Sequence, residues 1–312
     1  MMQFSENSWT SWQYNDGPLH GRSPSNDAKF CVVYKQQNIK IGSLLEESIK
    51  GAKSTLDTYP NLKPSIFFSG GVDSEVMLRA FLEIGSNPNV YVVRYENDIN
   101  IYDVSYAVSI ANSLNVDIKI IDMNLAQFYN NDAEKISELS QCDRPRMLPQ
   151  LKFADYVDGL PILCMADITW QRSNNDYSTR GIWKSWEIES DCACDRYNIA
   201  VNRQALYQWG RWSPGILLAH TRWKWFHKLI NDGYPGKLGN SSTKFNGFIE
   251  EFPMMIPRRK KVGFEQCENV ITEFEDFLKV KYNGLPFRRQ SELTLDEMWV
   301  ALTGKDFAAN NA

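Results

Sequence analysis

Cysteine is sparse in this chain, with six residues among 312. So few thiols in a chain of this size exclude a fold held together by disulfides. The only closely spaced pair is Cys192 and Cys194, and a structural zinc site usually needs a second pair. We therefore expect reduced thiols and a cytoplasmic location.

The chain also lacks a long apolar run and an excess of positive charge. No apolar stretch approaches the roughly 20 residues that cross a bilayer, and the polar N-terminus has no secretory signal. Lysine and arginine number 34 against 38 acidic residues, which gives a net charge of −4. We therefore expect no membrane partner and no nucleic-acid partner, except RNA or DNA as a substrate for modification.

Short apolar segments alternate with helical patterns in the middle of the chain. This alternation predicts an α/β fold with a doubly wound, mostly parallel sheet. We predict a short N-terminal module over 1–60, a core over 61–170 and a helical, loop-rich region over 171–312. The core elements are strands at 65–68, 90–93, 116–121 and 160–165 and helices at 75–84, 102–114 and 148–157. Beyond the core we predict loops over 172–196 and helices at 203–209, 215–229 and 268–282.

The chemistry is concentrated in the stretch Ser69-Gly-Gly-Val-Asp-Ser74, between the first core strand and the first core helix. Glycines allow a tight turn, and their amides together with a helix N-terminus form a cradle for an anion. The aspartate would repel a phosphate, so its expected role is to hold Mg²⁺. No lysine follows the glycines, which excludes a Walker A loop. We expect a phosphate-binding loop made by Ser69, Gly70, Gly71, Val72, Asp73 and Ser74.

On these residues the sequence resembles the PP-loop ATP pyrophosphatases, also called adenine nucleotide α-hydrolase-like enzymes. The resemblance implies a Rossmann-like fold of the HUP class and the use of ATP and Mg²⁺. It also implies cleavage of ATP between the α- and β-phosphates, adenylation of a substrate oxygen, and release of pyrophosphate. In this family the ends of the first two strands surround the adenine and ribose, which implicates Phe68 and Arg94.

The C-terminal half is similar to the synthetase domain of asparagine synthetase. The similarity runs from Ser242-Thr-Lys244 to Pro257-Arg-Arg-Lys-Lys-Val-Gly-Phe264. It implies that Lys244 meets the α-phosphate and that Arg259 and Lys260 lie near the pyrophosphate. The charge pattern agrees, because ten lysine and arginine residues stand against three acidic residues between positions 211 and 261.

Two departures from that family limit the reaction that the resemblance implies. Asp167 would supply the second carboxylate for Mg²⁺, opposite Asp73, but the glycines of the family's loop are absent there and Cys164 replaces its glutamate. We also expect no N-terminal glutaminase domain, since about 60 residues precede the phosphate loop and residue 2 is Met. Amide formation would then use free ammonia, an amine, or ammonia from a separate amidotransferase subunit.

The leading interpretation is an AMP-forming synthetase that adenylates a small-molecule carboxylate and joins it to ammonia or an amine. A second interpretation is a sulfur-transferring or nucleoside-modifying enzyme, for which Cys192 and Cys194 are the candidate thiols. A third is a nucleotide-binding subunit without catalytic activity. Release of pyrophosphate from ATP distinguishes the first two from the third.

Overall fold

The computed structural model describes residues 9–14, 17–18, 28–164, 170–172, 183–188, 192–206, 209–232, 237–238, 241–253, 255, 268–284 and 290–307. The strands in these ranges are β1 (Thr10–Tyr14), β2 (Gly17–Pro18), β3 (Phe30–Tyr34), β4 (Pro64–Phe67), β5 (Asn89–Tyr95), β6 (Ile118–Met123), β7 (Leu160–Ile162), β8 (Trp170–Arg172), β9 (Trp183–Ile188), β10 (Lys237–Leu238) and β11 (Gln290–Thr294). The α-helices are α1 (Leu44–Thr58), α2 (Val72–Glu83), α3 (Ile101–Ser113), α4 (Leu125–Asn131), α5 (Ala133–Ser140), α6 (Leu148–Lys152), α7 (Ala193–Ala200), α8 (Pro214–Ala219), α9 (Lys224–Asn231), α10 (Ser241–Glu251), α11 (Glu268–Lys281) and α12 (Leu295–Thr303).

The centre of the molecule is a four-stranded sheet in the order β6-β5-β4-β7, with every neighbouring pair parallel. Leu206 extends it beyond β7 by pairing in parallel with Ile162. The first strand of the sheet, β4, thus lies between the second and the fourth, so the winding direction reverses beside it. This is the doubly wound α/β fold that the sequence predicts, and ligands of such sheets bind at the carboxyl ends of the strands where the order reverses.

Helices cover both faces of this sheet, as a buried parallel sheet requires. Side chains alternate along β5, so that Val90 and Val92 join the core under α1, α2 and α3. Tyr91 and Val93 join a second core, formed with α4, α5, α6, α7 and α11. The first core also contains residues of α8, α9, α10 and α12, which places these four helices on the face occupied by α2.

Two antiparallel sheets flank this centre, in the orders β2-β1-β3 and β10-β8-β9-β11. A hydrogen bond of 3.1 Å from the backbone nitrogen of Val32 to Ser291 Oγ links β3 to β11. The prediction of loops over 172–196 is wrong for two segments, because β9 lies within this range and α7 begins in it. The strand went unrecognised because its sequence, Trp-Lys-Ser-Trp-Glu-Ile, mixes aromatic and charged residues rather than alternating aliphatic and polar ones.

Two predicted helices are also wrong in form. Of the helix expected at 203–209, the described residues 203–206 are not helical, and Leu206 instead donates to Pro161 and accepts from Leu163 through their main chains. The helix expected at 215–229 is broken, because Trp223 is extended (φ −62°, ψ 135°) between α8 and α9. Each of these two helices starts with its own cap, Ser213 for α8 and the Glu250 carboxylate for α9. None of the described helices has the length and apolar character that a bilayer crossing demands.

Candidate functional site

The predicted phosphate loop lies at the carboxyl end of β4, at the edge where the strand order reverses. The main-chain nitrogen of Phe68 still follows the sheet, because it donates to the Tyr91 carbonyl oxygen at 2.7 Å. The chain then leaves the sheet through Ser69 and Gly70, and α2 begins at Val72. The strand, turn and helix therefore stand in the order that a phosphate-binding turn needs.

Gly70 occupies a position that admits only glycine. Its φ angle is +72°, in the left-handed region that L side chains rarely adopt. A β-carbon at this position would collide with the carbonyl oxygen of Asp103 and would stand 3.0 Å from the backbone nitrogen of Ala107. The turn is therefore packed directly on the first turns of α3. The motif in the sequence predicts a close approach at this glycine but does not reveal which segment approaches.

The two serines of the loop are bonded to the loop itself. Ser74 Oγ donates to the Gly71 carbonyl oxygen at 2.9 Å and lies 3.3 Å from Ser69 Oγ. The Gly71 nitrogen donates to Ser69 Oγ at 3.4 Å. These bonds hold the turn in shape, so the serines stabilise the cradle as well as offering hydroxyl groups to a ligand.

The N-terminus of α2 begins at a glycine rather than at a residue with a capping side chain. Gly71 is the N-cap residue, and it has no side chain that could accept from the first amides of the helix. Val72 is buried through its side chain, so its contribution to a ligand is its main-chain amide. The amides at a helix start, together with the helix dipole, favour a bound anion such as phosphate.

Asp73 is the carboxylate of the loop that can hold Mg²⁺. It lies half-buried in the first turn of α2, beside the amides that would take the phosphates. Mg²⁺ is usually held by one or two carboxylates together with the substrate's phosphate oxygens, so a single aspartate fits this ion. Among the described residues, no three histidine, cysteine, aspartate or glutamate side chains come together as a metal-binding group. Asp167, the second predicted ligand, lies outside the described residues.

The two residues predicted to surround the adenosine have different environments. The Phe68 side chain is fully buried in the core that contains α2, so any contact it makes with a nucleotide is through its main chain. Arg94 lies near the carboxyl end of β5 and is partly exposed. Its Nε and Nη2 atoms donate to the two carboxylate oxygens of Asp122 on β6, at 2.6 and 2.9 Å. This hydrogen bonding lowers the pKa of Asp122, which the sequence did not single out.

The connection after β5 forms a defined rim beside Arg94. Asn100 is buried and joins two main-chain groups of β5, accepting from the Tyr95 nitrogen and donating to the Val93 carbonyl oxygen, both at 2.8 Å. Asn97 and Asp98 both have positive φ angles, 57° and 55°, which these residue types tolerate better than most. The start of α3, which supports the phosphate loop, is therefore fixed to the end of β5.

Lys244 lies on α10, and this helix packs against α2. The Lys244 side chain is outside the described part of the structure, as are Arg259 and Lys260 entirely. Gly247, one turn later, lies against the ring of Trp223 so closely that no side chain fits between them. The helix predicted to carry the catalytic lysine thus contacts the helix that carries the phosphate loop.

The C-terminal end of α10 is fixed by two consecutive glutamates that cap different helices. The Glu251 carboxylate accepts from the nitrogens of Leu44 (3.1 Å) and Leu45 (2.9 Å) at the start of α1. It also accepts from Trp223 Nε1 at 2.9 Å. The Glu250 carboxylate accepts from the first amides of α9, at 2.8 and 3.0 Å. The sequence shows these two glutamates only as acidic residues within a basic region and does not predict that they cap helices.

The two cysteines considered for sulfur chemistry are buried. Cys192 has 0% of its surface exposed and packs with Phe30 and Val32 of the N-terminal sheet. Cys194 has 1% exposed and belongs to the core on the other side of the central sheet from α2. A nucleophilic or persulfide-carrying thiol has to be reached by its partner, so this burial disfavours such a role.

No protein-family model and no curated protein sequence matches the chain. Among solved structures, the chain is similar to NMN synthetase from Francisella tularensis, with 18% sequence identity and a TM-score of 0.29. The match covers 38% of this chain and 52% of that chain, so the chain spans about half the length of the protein it matches. At this level the similarity carries no argument about function, and the α/β fold rests on the strand order described above.

Proposed function

We propose that the protein is an AMP-forming enzyme that cleaves ATP between the α- and β-phosphates. The observation that carries this proposal is the turn Ser69–Ser74, which lies at the strand-order reversal, is held in shape by its own hydrogen bonds and leads directly into the N-terminus of α2. These features suit the phosphates of a nucleotide. The resemblance of the same six residues to the PP-loop motif supports ATP as that nucleotide.

The loop and α10 have definite roles in this proposal. The main-chain amide of Val72, with the dipole of α2, would bind a phosphate oxygen, and Asp73 would hold Mg²⁺ beside it. A bound magnesium ion would neutralise charge on the departing pyrophosphate. Lys244 would stabilise the negative charge that develops at the α-phosphorus, as positioned cations do in phosphoryl transfer. The packing of α10 on α2 supports this last assignment.

The reaction we propose is the activation of a small-molecule carboxylate for amide formation. A carboxylate oxygen of the acceptor attacks the α-phosphorus, the bond to the bridging oxygen breaks, and pyrophosphate leaves. Ammonia or an amine then attacks the acyl carbon of the adenylate, AMP leaves, and the nitrogen loses a proton. The similarity of residues 242–264 to asparagine synthetase supports this acceptor class. The nitrogen would come from solution or from a separate amidotransferase subunit.

The other interpretations receive less support. Sulfur transfer is disfavoured by the burial of Cys192 and Cys194. Modification of a nucleoside needs no cysteine, so a nucleoside acceptor stays an outcome of the experiment below. A subunit that binds a nucleotide without catalysis could use the same loop and aspartate, and the experiment below distinguishes it by the absence of turnover.

The test is to measure pyrophosphate, phosphate, AMP and ADP released from Mg·ATP with pools of carboxylates, amino acids and nucleosides. We expect pyrophosphate and AMP that depend on one pool and vanish in Asp73→Asn. Asp117→Asn is the matched control, because Asp117 is exposed in the loop that leads into β6 at the opposite edge of the sheet. Release of ADP and phosphate would contradict the proposal. Binding of ATP without turnover with any pool, with or without ammonia, would favour the non-catalytic subunit.

A further inference from the structure

Arg94 and the phosphate loop lie on the same face of the central sheet. Along β5, Val90 and Val92 pack into the core that contains α2 and α3, and the alternation of side chains in a strand puts Arg94 on that face. It is the last residue of β5 on this face, at the carboxyl edge. The loop that connects β4 to α2 ends at the same edge of the neighbouring strand.

The guanidinium of Arg94 is held along one edge and open along the other. Nε and one hydrogen of Nη2 are used by Asp122, which faces Arg94 directly in the parallel register of β5 and β6. A guanidinium has five N–H donors, so three remain on the side away from Asp122. The arginine side chain is 41% exposed, which leaves those donors accessible.

The Arg94–Asp122 pair is poorly suited to a purely stabilising role. Asp122 is 67% exposed, and ion pairs on the surface contribute little to stability because solvent screens them and the two side chains lose conformational freedom. A two-point contact between a guanidinium and a carboxylate does, however, fix the direction of both planes. Such preorganisation lowers the cost of binding a ligand to the remaining donors.

We propose that Asp122 is a positioning residue, which orients Arg94 so that its open edge meets the nucleotide held at Gly70–Ser74. The negatively charged or hydroxyl-rich part of that nucleotide, a phosphate or the ribose, is the chemistry that a guanidinium edge accepts. This inference rests on the proposed function, since it assumes that a nucleotide occupies the phosphate loop.

The experiment measures two quantities on the full chain: KM for ATP in the pyrophosphate assay and Kd for α,β-methylene-ATP with Mg²⁺ by calorimetry. We expect Arg94→Gln to raise both about tenfold, the effect of losing one charge-assisted hydrogen bond. We expect Asp122→Asn to raise both about fivefold through lost orientation, with kcat and the melting temperature unchanged. The double variant should match Arg94→Gln alone, because Asp122 acts through Arg94.

A control separates orientation from the mere loss of a surface ion pair. Glu268→Gln breaks an equally exposed pair, with Arg146, on the other side of the sheet from α2, and should leave KM and Kd as they are. Unchanged KM and Kd in Asp122→Asn, or effects of the two substitutions that add, would overturn the inference while leaving ATP cleavage intact. Failure of the unsubstituted protein to bind the analogue would instead refute the proposed function, and this inference with it.

Discussion

Gly70 rests on the carbonyl oxygen of Asp103, so that the phosphate loop of the first crossover and the first turn of α3 are in direct contact. The contact is between two main chains, and it explains why the loop needs a glycine at this point beyond its positive φ. The order of β4, β5 and their connections brings these segments together, although they are about 30 residues apart in sequence.

Replacing Gly70 and a second glycine of similar φ should show how much of the loss of stability comes from backbone strain and how much comes from the contact with α3. Gly70→Ala should lower the free energy of unfolding by about 3 kcal/mol, because it adds left-handed strain and a collision with α3. Gly85→Ala is the matched control, since Gly85 has nearly the same φ of +71° but open space around its Cα. Its cost should be about 1 kcal/mol, from backbone strain alone. Urea denaturation of both variants checks the difference, and equal costs would contradict the packing of the loop on α3.

The two glutamates at the end of α10 should contribute unequally to stability. Glu251→Ala should cost about 2 kcal/mol, because it removes the acceptor of the Leu44 and Leu45 amides at the start of α1 and leaves the indole nitrogen of Trp223 without its acceptor. Glu250→Ala should cost about 1 kcal/mol, since it removes the cap of α9 at an exposed position. Chemical denaturation measures both. A larger effect at Glu250 than at Glu251 would show that burial does not determine these contributions.

His227 should make stability depend on pH below neutrality. Burial lowers the pKa of His227 from its ordinary value of 6.5, more than a backbone hydrogen bond with Thr221 raises it. The ring stacks on Phe307, with ring centres 5.1 Å apart. A lowered pKa means that the unfolded chain binds the proton more readily, so stability falls as the pH drops below 6.5 and levels off below the folded pKa.

The measurement is the free energy of unfolding from about pH 5 to pH 8, in the unsubstituted protein and in His227→Gln. We expect the free energy of unfolding of the variant to fall less at low pH than that of the unsubstituted protein. The part of the fall that other titrating groups cause should remain. Identical curves for the two proteins would refute the assignment of this dependence to His227.

The buried cysteines should be dispensable for the proposed cleavage of ATP. Cys194→Ala should keep pyrophosphate release at the level of the unsubstituted protein while costing about 1 kcal/mol of stability, because a small buried group is removed from the core. Cys192→Ala should behave in the same way. Loss of turnover in either variant, with the melting transition retained, would instead support sulfur chemistry.

Parts of this structure could be predicted from the sequence because local patterns determine them. The strand at Pro64–Phe67, the loop after it and the helix to Glu83 are contiguous, and their apolar spacing and glycines are visible in the chain. The same is true of α11, whose predicted range of 268–282 differs from the observed one by a single residue. The parallel sheet followed from the alternation of such segments.

Other parts depend on partners that are distant in sequence. Leu206 is extended because it pairs with Ile162, and nothing in its neighbourhood distinguishes it from a helical residue. The extended residue Trp223 separates α8 from α9, and Glu250, 26 residues after Lys224, then supplies the cap. Asp122 reaches Arg94 only through the register of two strands. These features, and the contact of Gly70 with α3, can be seen only in the tertiary structure.

The contact between Gly70 and α3 also constrains a segment outside the motif. The position of α3 is set by the connection from Glu96 to Asn100, whose length determines where the helix begins relative to β5. One residue more or fewer in this connection would shift α3 along the sheet and would either open a gap beneath the turn or force the turn outward. During divergence, this connection should therefore change its residues freely but keep its length, as strictly as the phosphate loop keeps its glycines.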